Sequence, residues 1–313
     1  MKYKYGLMKY EGGNLGDEIQ SLAAKRFLPR VDVYIDRDNL KNIKSNQKIK
    51  LIMNGWFMHR PLNWPPSPDI EPLFISFHIS PSCARELTSN ESIQYFRKHE
   101  PIGCSDYYTR DLLRKKGIES YFSGCLTLTL QSNTTRKSNE ILLVDLDKEA
   151  LKNIPKKRLN SCVILDHYGY NPLIKKMYNL ARKNNFLYSF YKLALQLREK
   201  FKVKLVLHQS SPKKFQRAEA LLKRYSMAKL VITSRLHCAL PCLAFNTPVI
   251  FVSKNLNDPR LKGYLEYLRC YSVEEFKERV KELDWECPPQ NPKSIEKIRK
   301  KLVETCKKFI NDD

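Results

Sequence analysis

Long apolar runs are missing from this chain of 313 residues. No stretch approaches the ~18 consecutive apolar residues that a membrane-spanning helix requires, so no such helix is expected. The first residues, Met1-Lys2-Tyr3-Lys4-Tyr5, run straight into a strand-like segment. They lack the apolar core and small-residue cleavage site of a secretory leader, and the chain reads as cytoplasmic. Close cysteine pairs are also missing. There are nine cysteines, an odd number, none in a CxxC pair, and the nearest two are Cys238 and Cys242. That spacing supports neither a disulfide framework nor a zinc site, and free thiols acting as small core residues are expected, with no metal. Glycine is scarce, at ten residues. Neither GxGxxG nor a Walker loop occurs, which removes the usual nucleotide fingerprints. There is no GxSxG elbow for a serine nucleophile. No pair of carboxylates stands at a strand end, which argues against a glycosidase.

Acidic residues are in short supply as well. Fifty-six lysines and arginines face 33 acids, a net charge of +23. Such an excess fits nucleic acid, an anionic membrane surface or an anionic substrate, and it equally fits a solvated lysine-rich surface. The basic residues are dispersed and no nucleic-acid motif accompanies them, so nucleic acid is not an expected partner.

What is present is alternation. Short apolar runs alternate with amphipathic stretches, the pattern of βαβ units and a largely parallel sheet. Strands are expected at Tyr3–Met8, Val31–Ile35, Ile49–Met53, Leu73–His78, Ile102–Cys104 and Tyr121–Leu128. Helices are expected at Glu18–Leu28, Ile93–Lys98 and Tyr107–Lys116. A polar stretch, Gln131–Asn139, has no apolar period and reads as a linker. Alternation then resumes with strands Ile141–Leu146, Cys162–Leu165, Lys202–His208, Leu230–Thr233 and Val249–Val252. Ser272 with Glu275 fits a capping box. The stretch Ser294–Ile310 is a helix by period, with one apolar stripe and a basic opposite face. That helix packs on its own domain or touches an anionic membrane surface. The expected architecture is therefore two α/β domains, residues 1–137 and 138–313, facing each other across a cleft, with ligands beyond the carboxyl ends of the strands.

The turn after Leu230–Thr233 is the richest of these strand ends. Ser234-Arg235-Leu236-His237 leads into a small-residue helical segment containing Pro241. Proline is tolerated in the first turn of a helix but costs ~3 kcal/mol in the interior, which would start the helix near His237 or Cys238. Arg235 and His237 then stand at a helix mouth, where unpaired N–H groups and the dipole favour an anion. Arginine adds a fork for phosphate or carboxylate, and histidine a proton donor or acceptor near neutral pH. An arginine in a surface ion pair beside a capping histidine is the competing structural reading.

Three segments share a family likeness. They are Asn14-Leu15-Gly16-Asp17-Glu18-Ile19, the run Gly103–Leu113 continuing through Tyr121–Leu130, and Ser234-Arg235-Leu236-His237 with its following helix and Thr247-Pro248-Val249-Ile250. In this order over about residues 10 to 260, the chain resembles the polysaccharide pyruvyl transferase family. The resemblance implies two Rossmann-like domains arranged as in GT-B glycosyltransferases. It implies transfer of a pyruvyl group from phosphoenolpyruvate, a co-substrate, onto two hydroxyls of a sugar, with no cofactor. Arg235 would grip the donor and His237 would serve as acid or base. Ser234, His208 and Arg260 join Arg235 as donor-side candidates. The acceptor would be a sugar or lipid-linked oligosaccharide of surface polysaccharide assembly. One departure is visible: arginine is common in the family where this chain has Ser105, and Arg110 or Arg85 are the candidates to replace its charge. A nucleotide-sugar glycosyltransferase on the same frame, and a catalytically retired glycan-binding relative, stay open.

Other strand ends supply acceptor-side candidates. Asn14, Gly16 and Asp17 join the first strand to a helix, and Asp17 either caps that helix or holds sugar hydroxyls. Asn54 and Trp56 follow the third strand, offering an amide and an aromatic platform, with Trp56 equally suited to a core. His78 ends the fourth strand and His208 the strand Lys202–His208. Asp258-Pro259-Arg260 reads as a helix start after Val249–Val252.

Overall fold

The computed structural model describes residues 3–132, 134, 136–168 and 211–312. The expected strand Lys202–His208, and His208 with it, lies outside these. Six strands form one wholly parallel sheet: β1 (Tyr3–Lys9), β2 (Val33–Asp36), β3 (Lys48–Phe57), β4 (Ile70–Ile79), β5 (Ile102–Cys104) and β6 (Ser120–Phe122). Their order is β2-β1-β3-β4-β5-β6. Among the described residues a second parallel sheet holds β7 (Ile141–Val144), β8 (Val163–Leu165), β9 (Leu230–Thr233), β10 (Val249–Ser253) and β11 (Arg269–Ser272), in the order β11-β10-β9-β7-β8. The described α-helices are α1 (Leu15–Lys25), α2 (Ala84–Leu87), α3 (Asn90–Arg97), α4 (Tyr107–Arg114), α5 (Lys148–Lys152), α6 (Lys156–Leu159), α7 (Ser211–Met227), α8 (Leu236–Ala244), α9 (Val273–Arg279) and α10 (Glu296–Asn311). The molecule is thus two α/β domains, each built on a parallel sheet. None of the described helices is long and apolar enough to cross a membrane.

Each sheet has one point where the chain order reverses. β1 lies between β2 and β3, and β7 lies between β8 and β9. Connections diverge there and leave a crevice at the strand ends. An apolar seam joins the domains. Leu15, Ile19, Leu22 and Ala23 of α1 share one buried cluster with Phe215, Ala218 and Leu222 of α7. The last helix, α10, also crosses the junction. Its terminal carbonyls at Phe309, Ile310 and Asp312 accept from the buried Lys50 of β3. Near its start, Arg299 donates to the carbonyls of Leu128 at 3.0 Å and Ala244 at 2.5 Å. All nine cysteines are free thiols, and six are buried.

Several boundaries differ from the sequence reading. The expected strand Tyr121–Leu128 stops at Phe122, because Gly124 takes φ +77° and a 3-10 turn follows at Leu126–Thr129. The helix predicted from Glu18 begins at Leu15. Asn14 is its cap, accepting from the Gly16 N–H at 3.1 Å, so Asp17 is not the capping residue. β3 continues past Met53 through a register irregularity at Gly55, φ +105°. A Cβ at Gly55 would stand 3.0 Å from the Tyr10 hydroxyl, so glycine is required by both conformation and space. Asp258-Pro259-Arg260 forms turns rather than a helix start. Pro241 is the sixth residue of α8, which begins at Leu236, before the start near His237 or Cys238 that the proline suggested.

Candidate functional site

The two crevices face one cavity of about 520 Å³. On the second-domain side the wall is built at the ends of β7, β8 and β9. Thr233 closes β9 by donating to the Val144 carbonyl at 2.8 Å, while its Oγ1 accepts from the Arg235 N–H at 3.0 Å. That pins Arg235 in extended conformation as the N-cap of α8, with no side-chain capping bond. The guanidinium is therefore free to reach sideways. Nε donates to Asp145 Oδ2 at 3.0 Å and Nη2 to the Tyr168 hydroxyl at 2.7 Å, with the group 5.4 Å from the Tyr168 ring centroid. Burial opposes its charge, but Asp145 and Tyr168 outweigh that and raise its pKa. Asp145 takes φ +44°, uncommon for a non-glycine residue, and its carboxylate also accepts from the His167 N–H at 3.1 Å. A strained backbone thus presents one carboxylate to two groups of the wall.

His237 is the second residue of α8 and lines the cavity. Gly16 presses against it, since a Cβ there would stand 3.2 Å from His237 Cβ and 3.3 Å from Nδ1. Burial, then the neighbouring His167, Arg260, His78 and Arg235, lower its pKa to about 3. It is neutral near pH 7 and able to accept a proton. His167 is fully buried, shares a 2.7 Å hydrogen bond between Nε2 and the Tyr225 hydroxyl, and is lowered to about 3 by burial and by Arg235. Arg260 pairs with Asp258 at 2.6 Å through a side chain that is 56% exposed. The pair is a two-point fork, with Nε and Nη2 of Arg260 both donating to the Asp258 carboxylate.

The first-domain wall is different in kind. His78, at the end of β4, lines the cavity with Nδ1 held 2.6 Å from Asp106 Oδ2. Asp106 is also the cap of α4, accepting from the Thr109 N–H at 2.8 Å, and takes a bond from Ser105 Oγ at 2.9 Å. Burial opposes its charge; the bonds from His78, Thr109 and Ser105 outweigh it and lower its pKa. Ser105 thus supports the carboxylate that orients His78. Arg110 is bound to Asp111 and neither it nor Arg85 lines the cavity; the second guanidinium on the cavity is Arg260. Asp17 lines the cavity and is backed 3.8 Å away by the wholly buried Arg37. Burial raises the Asp17 pKa. Arg37 in turn stacks over Tyr10 at 4.4 Å and Trp56 at 5.0 Å, fixing the indole that lines the wall.

Of the residues predicted from sequence, Ser234, Arg235, His237, Arg260, Asn14, Asp17, Trp56 and His78 come together on this cavity. Gly16 serves it from behind, as the contact that lets α1 approach His237. Asn54 does not belong: the strand continues through it and turns it inward, fully buried, with Nδ2 donating to the Gln20 carbonyl at 2.9 Å. Asp145, His167, Tyr168 and Asp106 were not singled out. His167 and Tyr168 follow a recognisable strand, and the strand-end rule applied to β8 would have found them. Among the described residues no cluster of His, Cys, Asp or Glu is arranged to hold a metal ion.

Residues 14–255 match the model of the polysaccharide pyruvyl transferase family. The chain belongs to that family. No curated protein matches the sequence. Among solved structures the fold is similar to a UDP-N-acetylglucosamine 2-epimerase, at 12% identity over 97% of this chain and 95% of that one, with a TM-score of 0.49. It is similar to S. aureus MnaA in a co-structure with UDP, at 11% identity over 99% and 97% of the two chains, TM-score 0.47. A wall teichoic acid polymerase, TagF, aligns at 12% identity over 98% and 82%, TM-score 0.39. The transferase is thus a two-domain α/β member of a glycan-modifying family.

Proposed function

We propose that this transferase moves the pyruvyl group of phosphoenolpyruvate onto two hydroxyls of one sugar in a surface polysaccharide or its precursor, forming a cyclic ketal. The observation that carries this reading is the second-domain wall, where Arg235, Arg260 and the N-terminus of α8 converge beside a neutral histidine. Donor phosphate and carboxylate both need such a wall. The reaction balances as follows. Two sugar O–H bonds, the C2=C3 π bond and the C2–O bond to phosphate break, and two C–O bonds form at C2 of the enolpyruvate. One hydroxyl proton ends on C3, making the methyl group, and the other leaves on the released phosphate.

Two proton-transfer groups border the cavity. His237 stands on the donor side. His78 stands on the other, with Nδ1 tied to Asp106 and Nε2 left to meet an acceptor hydroxyl. A histidine oriented by a carboxylate is a competent general base, and each such group contributes about 10²–10⁴-fold. Arg235 and Arg260 stabilise the departing phosphate. Trp56 and Asp17 supply the platform and hydrogen-bond acceptor for the sugar ring.

The deciding experiment is phosphate release from phosphoenolpyruvate in the presence of candidate acceptor glycans. Acceptor-dependent release is expected. Stabilisation of the protein by nucleotide sugars, with none by phosphoenolpyruvate, would instead assign the wall to a sugar-nucleotide diphosphate.

A further inference from the structure

One buried cation beside the cavity is engaged by backbone rather than turned to ligand. Lys214 stands in the first turn of α7, in the second domain, and is 2% exposed. Its Nζ lies 2.6 Å from Oε1 of Glu18 on α1, which is equally buried. It also donates to the carbonyl of Tyr10, and to that of Gly12 at 3.0 Å. Tyr10 and Gly12 belong to the other domain, in the loop joining β1 to α1. Gly12, Gly13 and Asn14 of that loop line the cavity.

This loop has little means of holding its own shape. Two successive glycines carry no side chain, and nothing lies within 4 Å of the position a Cβ on Gly12 would occupy. Tyr10 is held within its own domain, by the Asn54 carbonyl at 3.3 Å and by Arg37 over its ring, but the glycines and Asn14 after it are met by the second domain: the Leu15 N–H donates to the His167 carbonyl at 2.6 Å, and Asn14 forms an antiparallel bridge with Tyr168. The same loop carries the Asn14 cap of α1, and so sets the approach of Gly16 to His237.

We infer that Lys214 is a positioning residue that shapes the β1–α1 loop from the opposite domain, so that the first-domain wall of the cavity is complete only when the two domains are docked. Glu18 makes the lysine tolerable in the interior, and the lysine's two carbonyl contacts hold the loop. These duties are separable. Breaking a buried ion pair on one side leaves an uncompensated charge, whereas replacing both partners by neutral groups of similar size is often harmless to stability.

The test uses the full chain as wild type, E18Q, K214M and the double variant E18Q/K214M. Hydrogen exchange is followed over residues 10–16, alongside thermal stability and the kinetics of phosphate release. K214M alone is expected to lose stability because Glu18 is stranded. E18Q/K214M is expected to regain most of that stability, yet its loop still exchanges about ten-fold faster than wild type, because the Tyr10 and Gly12 carbonyls have lost their donor. E18Q keeps the lysine and its carbonyl contacts but strands its charge, so it is expected to lose overall stability while residues 10–16 stay better protected than in the double variant. Wild-type protection of the loop in E18Q/K214M overturns the inference. So does loosening in E18Q equal to that in the double variant, which would make the charge pair, not the lysine's contacts, the determinant. The kinetic arm rests on the pyruvyl-transfer reading: there kcat of the double variant is expected to fall about ten-fold, a loss that restored stability alone would not predict. Should the wild type itself release no phosphate from phosphoenolpyruvate, that reading fails while the exchange data still decide the role of Lys214.

Discussion

The two walls of the cavity are built by the same device, a reversal point in a parallel sheet, and equipped with opposite chemistry. At the ends of β8 and β9 stand a guanidinium, a helix mouth and two histidines, His167 and His237, held neutral by burial and by the positive charge around them. At the ends of β1, β3 and β4 stand a carboxylate, an indole and a histidine tied to an aspartate. One wall offers positive charge and N–H donors, and the other a carboxylate, an imidazole and an aromatic face. The contrast teaches that a switch point supplies only a place: the residue types at the strand ends decide what binds there. It also explains why α1 and α8 must meet closely. Gly16 against His237 brings the two walls close, and a side chain at position 16 would press on His237 by a few tenths of an ångström.

The sharpest way to break this division is to remove a proton carrier from the charged wall. His237→Ala is expected to lower turnover by about 10²–10⁴-fold while phosphoenolpyruvate affinity moves only a few-fold, read by phosphate release and by calorimetric titration. Near-normal turnover would leave His237 with a packing role alone. Arg235→Ala is next. Losing a charged fork to an anion is expected to weaken phosphoenolpyruvate binding by roughly 2–4 kcal/mol, about 30- to 1000-fold. Arg235→Lys should recover only part of this, because an ammonium cannot reproduce the fork. Unchanged donor affinity in the alanine variant would move the donor anion away from β9. Substitution on the other wall should do the reverse. Asp17→Asn and Trp56→Phe are each expected to raise the acceptor KM by about ten-fold, with the phosphoenolpyruvate KM unmoved. A shift in the donor constant instead would dissolve the distinction between the walls.

How much of this could be read beforehand depends on whether a feature is local. Two α/β domains were legible because parallel strands buried on both faces are written as continuous apolar runs; β3, buried along nearly its whole length, is the clearest. The turn at Arg235 was legible because a strand end, an arginine, a histidine and a helix lie within a few residues. Asn14 and Asp17 are both capping types three residues apart, and only the backbone decides between them, so the sequence left Asp17 as cap or site residue where Asn14 is the cap. Asn54 resembled a loop residue because Gly55 follows it, yet the glycine is there to let Tyr10 and Gln20 approach, and the strand runs on. Arg37 and Asp38 look unremarkable in sequence, and their meaning lies in one buried charge cluster with Asp17, twenty positions before Arg37. Asp145 was invisible for the same reason, as its positive φ and its bond to Arg235, ninety positions away, are tertiary facts.

The smallest expected effect tests the contrast through protons. In the free protein His237 is neutral, because burial and nearby positive charge lower its pKa to about 3. A bound phosphoenolpyruvate brings negative charge against that ring, and an opposite charge at close range favours the protonated form. Its pKa must then rise on donor binding, so the complex holds more protons than the free protein, and affinity strengthens as pH falls. The linkage runs from the pKa reached in the complex down to about 3, the value in the free protein, so uptake is read at the lowest pH that keeps the donor fully ionised, just above its phosphate's second pKa near 6. Uptake of a fraction of one proton is expected when phosphoenolpyruvate is titrated calorimetrically in buffers of different ionisation enthalpy. His237→Gln should abolish it. A neutral sugar acceptor meeting the other wall brings no charge and should bind without uptake. Proton release on donor binding would mean that the anion lies far from His237, whereas equal uptake for donor and acceptor would mean that one histidine serves both walls.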